Sequence, residues 1–199
     1  LVQGFLDRQD QFPLDELWLM DNDTERLEIV GGFVKRMAAN QDAGFDVLLS
    51  TNQEDAIREA SYIITQLRVG KMEARREDEY LGKRYHLIGQ ETTGVGGMAK
   101  GLRTIPVILD IARDMHETAP EALLVNFTNP AGVVTEALAR YAPDVNAVGL
   151  CNVPFTVKMT ILDWLKFNDG NAIDSSLACL DTLGLNHLSW HRGFTLGGK

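Results

Sequence analysis

Cysteine is scarce in this sequence: 199 residues hold two, Cys151 and Cys179. Two thiols in apolar surroundings cannot build a disulfide framework, and they suit a reducing compartment such as the cytoplasm. Cations are outnumbered. Nineteen Lys and Arg face 28 Asp and Glu, for a net charge of −9, which excludes the clustered positive surface that a nucleic-acid partner needs. No apolar run approaches the ~20 residues that span a bilayer, so no membrane partner is expected. Internal repeats, linkers and low-complexity segments are missing too. What is present is 45% hydrophobic content, enough for one ordinary domain with a sizeable core. The chain opens in Leu-Val-Gln-Gly-Phe-Leu without a Met and ends in Gly197-Gly198-Lys199. The first reads as the middle of a helix and the second as a turn, so a piece of a longer protein is expected.

Periodicity gives the order of elements. Leu1, Val2, Phe5 and Leu6 have helical spacing. Pro13 breaks the path, and residues 16–20 read as a short buried strand. Asp21-Asn22-Asp23-Thr24 supplies helix caps, and Leu27, Val30, Val34 and Met37 mark one helix face. Strands are expected at 45–49 and 61–67 with a helical turn at 53–59 between them. The charge run Arg75-Arg76-Glu77-Asp78-Glu79 reads as a solvated helix face. A helix at 98–117 should be kinked or split by Pro106. Strands follow at 122–127 and up to Cys151, then a helix at 155–167. Two strands at 176–183 and 185–196 read as antiparallel at one edge. Strands alternating with helices make this an α/β chain with a doubly wound, parallel, Rossmann-like sheet. Trp18, Trp164 and Cys179 read as core.

Three places could carry chemistry. Cys151 sits where a strand gives out, and ligands gather at the carboxyl ends of parallel strands. His187 lies 36 positions on (187 − 151), too far for a zinc-finger knuckle. If the fold joins them, the pair could hold a divalent metal with open positions; otherwise Cys151 is a small core residue. Asp21 ends the strand read at 16–20, which takes the place of a dinucleotide fold's second strand. An acid there can accept hydrogen bonds from a dinucleotide's adenosine ribose, or Asp21 or Asn22 merely caps the next helix. The loop from Gly89 to Gly97, rich in Gly and hydroxyls, can offer backbone N–H groups to a phosphate.

Five segments taken together resemble one family. They are Gln66-Leu67-Arg68-Val69-Gly70, Ile88-Gly89-Gln90-Glu91-Thr92, Asn126-Phe127-Thr128-Asn129-Pro130, Cys151-Asn152-Val153-Pro154 and Gly184-Leu185-Asn186-His187-Leu188-Ser189-Trp190. Their order resembles the NAD- and divalent-metal-dependent glycosidases of glycoside hydrolase family 4, which depart from the two-carboxylate mechanism. The resemblance implies a dinucleotide domain like that of lactate and malate dehydrogenases. It implies that residues 1–199 are the NAD-binding domain of a longer enzyme, without its first strand and Gly-rich loop and with the C-terminal catalytic domain largely absent. Such a chain is expected to be inactive alone.

The family's route starts with hydride transfer from sugar C3 to NAD⁺. The ketone acidifies the C2 proton, a metal (typically Mn²⁺) stabilises the enolate, and a Tyr takes the proton. The aglycone leaves C1, water adds, and the steps reverse. A Lewis acid on the sugar oxygens spreads the developing charge. By resemblance, Cys151 and His187 bind the metal and Asp21 the adenosine ribose. Arg75 binds the sugar 6-phosphate, a task suited to a guanidinium. Asn129 binds the sugar beside the nicotinamide, and Glu91 tunes the catalytic Tyr, which lies outside this chain. Asn152 occupies a substrate-contacting position where members acting on α-linked substrates carry a proton-donating Asp. An amide is no acid, so 6-phospho-β-glucosides are the expected substrates, as phosphorylated disaccharides or aryl phosphoglucosides. The family also implies a homo-oligomer. The alternatives are a 6-phospho-α-glucosidase or other family-4 glycosidase, an NAD-dependent 2-hydroxy-acid dehydrogenase with His187 as base, and a non-catalytic nucleotide-binding domain.

Overall fold

Asp23 and Asn52 each start a helix by offering an acceptor side chain, whereas Leu1, Gly70 and Pro130 stand at helix starts with no side-chain cap. The computed structural model describes residues 1–169, 173–185 and 187–198. These divide into two compact units, Leu1–Ser61 with Asp114–Pro120, and Tyr62–Arg113 with Glu121–Lys199.

In the first unit a short helix α1 (Val2–Leu6) precedes strand β1 (Glu16–Met20), helix α2 (Thr24–Asn40), strand β2 (Asp46–Ser50) and helix α3 (Gln53–Ile57). Strands β1 and β2 pair in parallel, with Glu16 opposite Asp46 and Met20 opposite Ser50. The Asp23 carboxylate caps α2 by accepting from Arg26 N at 3.2 Å, and Asn52 caps α3 by accepting from Glu54 N. Both satisfy amides that the first helical turn leaves unpaired.

Helix α2 buries Leu27, Gly31, Val34 and Ala38. This corrects the expected face, because Val30 is exposed and Met37 only half-buried. The cause is close approach. A Cβ at Gly31 would stand 2.4 Å from Leu49 Cδ2, so the helix settles on its smallest residues. Strand β1 is not buried as expected. Glu16, Trp18 and Met20 point to an exposed face, where the Trp18 indole donates to Glu16 at 2.7 Å.

The second unit holds the parallel sheet β3 (Tyr62–Thr65), β4 (Leu123–Asn126) and β5 (Ala147–Gly149), in the order β3-β4-β5. Helices α4 (Lys71–Arg84), α5 (Gly94–Thr118, of which the part from Asp114 belongs to the first unit), α6 (Ala131–Tyr141) and α7 (Val153–Asp169) intervene or follow. A 3-10 turn at Ser175–Leu177 leads into strands β6 (Ala178–Leu185) and β7 (Leu188–Leu196), which pair antiparallel. That pair forms its own two-stranded sheet rather than extending an edge of the parallel one.

Helix α5 begins earlier than expected and is not split by Pro106. A proline deprives the carbonyl four residues back of its donor. That residue, Leu102, is 68% exposed, where water can serve instead. The other face of α5 is core: Lys100, Thr104, Ile108, Ile111 and Met115 are all buried. Trp164 on α7 is 63% exposed and Cys179 on β6 is exposed, which overturns their reading as core.

Candidate active site

The carboxyl ends of β3 and β4 are fixed by a buried neutral network. Asn126 is 0% exposed and Thr65 and Thr128 nearly so. The Thr65 hydroxyl donates to Asn126 Oδ1 at 2.9 Å, and Thr128 N donates to the same oxygen at 3.1 Å. Asn126 Nδ2 donates to Thr128 O at 3.1 Å, and Leu67 N to Thr128 Oγ1 at 3.0 Å. Every polar atom in such a buried group needs a partner, and here the partners are the residues that carry the chain out of both strands. Asn129 follows, half-buried, in a cis peptide with Pro130. On the next strand, Leu150 N donates to Asn126 O at 2.9 Å and so extends the pairing to the edge of Cys151, which is half-buried. Asn129 and Cys151 therefore leave adjacent strand ends. Asn152 beside it is exposed and its carbonyl accepts from Thr156 N at 2.8 Å. His187 is exposed in the turn joining β6 and β7, and Asn186 lies outside the described residues.

A second, charged cluster surrounds Glu91. Lys100 Nζ and Arg68 Nη1 both donate to Glu91 Oε1. Arg75 Nη2 stands 3.5 Å from Glu91 Oε2, while Arg75 Nε donates to Glu79 Oε1 at 2.9 Å. Arg103 ties in the rest, forking onto Asp78 through both terminal nitrogens and donating from Nε to Val69 O at 2.9 Å. Arg68, Arg75, Lys100 and Arg103 against Asp78, Glu79 and Glu91 leave one positive charge in excess (4 − 3) in a chain of net −9. Burial opposes the charge on Glu91, yet hydrogen bonds from Lys100 and Arg68 outweigh it and hold the carboxyl below the usual carboxylate range. Burial also dominates at Lys100, pulling it below the usual lysine value despite the Glu91 bond. Arg75 is held more firmly protonated, first by its bond to Glu79 and then by the charge of Glu91.

The glycine-rich loop is not an open phosphate cradle. The amides of Thr92 and Thr93 both donate to the Gln90 side-chain oxygen. Gly96 answers to packing, since a Cβ there would lie 2.2 Å from Gln90 O and 2.8 Å from Asp78 O, while Gly94 has open space and a φ of +63°. In the first unit, Asp21 Oδ1 accepts from Asp23 N at 3.0 Å and Oδ2 lies 3.4 Å from Arg26 Nε. The helix cap is Asp23, so capping does not account for Asp21.

The family model described as Family 4 glycosyl hydrolase matches residues 1–167. The chain belongs to this family. It is 47% identical over 190 residues to a probable 6-phospho-beta-glucosidase of Bacillus subtilis strain 168, covering 94% of this chain and 42% of that protein. It superposes with a TM-score of 0.89 at 36% identity on the 6-phospho-beta glucosidase of Thermotoga maritima, covering all of this chain and 46% of that one. That structure was solved with manganese, NAD⁺ and glucose-6-phosphate. The chain thus spans about half the length of the relatives it matches. A malate dehydrogenase of Plasmodium falciparum, at TM-score 0.64 and 13% identity over 98% of this chain and 54% of its own, shows the shared Rossmann-like fold alone.

In this family-4 chain, Arg75 and Glu91 come together, and Asn129 and Cys151 leave neighbouring strands. Among the described residues no three His, Cys, Asp or Glu side chains gather as a metal cluster, and no helix is long and apolar enough to cross a membrane. Thiol and imidazole are both donor types that an open, substrate-completed metal site can use, and Cys151 is half-buried and His187 exposed. The donor chemistry of Cys151 and His187 fits an open site of that kind. Sequence reasoning passed over Lys100 and Asn126. Lys100 falls at i, i+4, i+8, i+11 and i+15 with Thr104, Ile108, Ile111 and Met115, and a lysine in register with a core face was the available signal.

Proposed function

We propose that this chain is the NAD-binding part of a cytoplasmic enzyme that hydrolyses 6-phospho-β-glucosides by the redox-assisted elimination its family resemblance implies. The carrying observation is Arg75. Glu79 and Glu91 hold its guanidinium from two sides, its side chain is 36% exposed, and Nη1 has no hydrogen bond among the described residues. That is a cation fixed in place and open to an anion, and a planar fork suits a phosphate.

Bound NAD⁺ would supply a hydride acceptor, and a divalent metal, Mn²⁺ by family, would supply a Lewis acid to the sugar oxygens. Cys151 and His187 would hold that metal. Asp21, whose carboxylate is engaged among the described residues at its own turn and by Arg26, would accept the adenosine ribose hydroxyls. Asn129 would orient the sugar by donating and accepting through its amide. Glu91 would keep a negative charge near the base that removes the C2 proton. Asn152 supplies no acid, which favours β-linked substrates whose leaving group takes its proton from water. Both cysteines are free, in keeping with a reducing setting.

The test is turnover by the full-length protein of chromogenic 6-phospho-β- and 6-phospho-α-glucosides with NAD⁺ and Mn²⁺. Cleavage of the β substrate is expected. Activity confined to the α substrate would overturn the reading of Asn152, and indifference of the phosphate preference to Arg75→Met would overturn that of Arg75.

A further inference from the structure

We propose that Lys100 is a positioning residue for recognition of the substrate's phosphate, acting through Glu91 on Arg75. The inference rests on the reading of Arg75 as the phosphate-binding cation and adds the device that keeps that cation available. Lys100 is 2% exposed and projects from the core face of α5. Its ammonium cannot meet a bulky solute. Its recorded bond is to Glu91 Oε1, which Arg68 also takes. Two cations on one oxygen turn the carboxylate, so that its other oxygen stands toward Arg75 at 3.5 Å, beyond a direct hydrogen bond for that pair.

That separation is the point of the arrangement. A carboxylate free to swing would close on Arg75 in a bidentate pair, the strongest geometry the two groups have, and would occupy the donors an incoming phosphate needs. Arg68 alone is a weaker tether, being 32% exposed and open to water. Lys100 is dry, and a buried ammonium without a partner is costly enough that it does not release its carboxylate. Glu91 is thereby held in reserve, near enough to orient Arg75 and too far to neutralise it. The excess positive charge of the cluster then faces the exposed side, where Arg75 lies.

The experiment compares Lys100→Met and Arg75→Met with wild type in the full-length protein, using an aryl 6-phospho-β-glucoside as substrate and glucose 6-phosphate and glucose as competing inhibitors. Lys100→Met is expected to raise KM for the phosphorylated substrate about tenfold while kcat changes less than about threefold. The inhibition constant of glucose 6-phosphate should weaken in parallel, and that of glucose should stay put. The double variant Lys100→Met with Glu91→Gln leaves no buried charge unpaired and keeps the comparison open where the single variant folds poorly. It should restore folding, seen as the melting temperature, and bring KM back toward the wild-type value, because no carboxylate is left to close on Arg75; a double variant that folds and keeps the raised KM would overturn the inference. If Arg75→Met shifts the phosphate preference and a folded Lys100→Met does not, the inference is wrong while the reading of Arg75 stands. If Arg75→Met leaves the preference intact, that reading fails and the inference fails with it. A Lys100→Met protein that loses kcat and keeps KM would also overturn the inference.

Discussion

Two polar clusters lie in the second unit, and they solve burial in opposite ways. Around Asn126 every group is neutral, and the recorded hydrogen bonds run from 2.9 to 3.1 Å between atoms almost wholly out of water. Around Glu91 the groups are charged, and the cluster grades from the dry Lys100 to the partly wet Arg68 and Arg75. A neutral network that is fully satisfied has one arrangement and no response to pH. A charged one carries desolvation costs on each member, and its stability depends on pH. The first suits a frame that must not move, and the second meets solvent at its wetter edge.

The comparison can be broken hardest at Asn126. Asn126→Ala leaves the Thr65 hydroxyl and both backbone groups of Thr128 without their partner, and it opens a void in the core. A loss of about 4 kcal/mol in unfolding free energy is expected, read from denaturant melts of the full-length protein. Glu91→Ala should cost somewhat less, about 3 kcal/mol, because it strands the buried Lys100 ammonium but leaves Arg68 free to hydrate. The same melts check it, and Lys100→Met placed on top should recover part of the loss.

Acid sharpens the contrast. The Glu91 carboxyl has a folded pKa below its unfolded value. Its contribution is therefore fully present above the unfolded pKa of about 4.3 and is lost as pH falls through the lower folded value. Wild type and Glu91→Gln should thus converge in stability as pH falls below about 4.3, whereas wild type and Asn126→Ala should keep a constant gap. The smallest effect belongs to Thr104, whose buried hydroxyl has no hydrogen-bond partner among the described residues. Thr104→Val removes an unsatisfied group of nearly the same shape and should leave stability unchanged or raise it by about 1 kcal/mol, seen as a small rise in melting temperature.

The same contrast explains what the sequence made legible. Strands and helices showed themselves where side chains act on their own backbone, as with the Asp23 cap of α2 and the apolar run of β4. The parallel α/β order followed from their alternation. The face that α2 buries did not, because hydrophobicity pointed to Val30 while the decisive fact was the approach of Leu49 to Gly31. Trp18 and Trp164 misled for the same reason, since apolar character says nothing of which face has a neighbour. Arg75 stood out only through the family resemblance, and its charge run gave no hint of Lys100, 25 positions on (100 − 75). Their meeting depends on how α4, α5 and the intervening loop pack, and no local pattern encodes that.

The Asn126 network also sets rules for anyone building chimeras between relatives of differing sugar preference. Because Asn126 grips a backbone two residues ahead and a neighbouring strand at once, the segment 126–128 behaves as a welded joint. A crossover placed inside it would separate halves that only fit each other. Crossovers made beyond Pro130 would leave the joint whole, and the segment carrying Cys151 and Asn152 could then be exchanged without touching it.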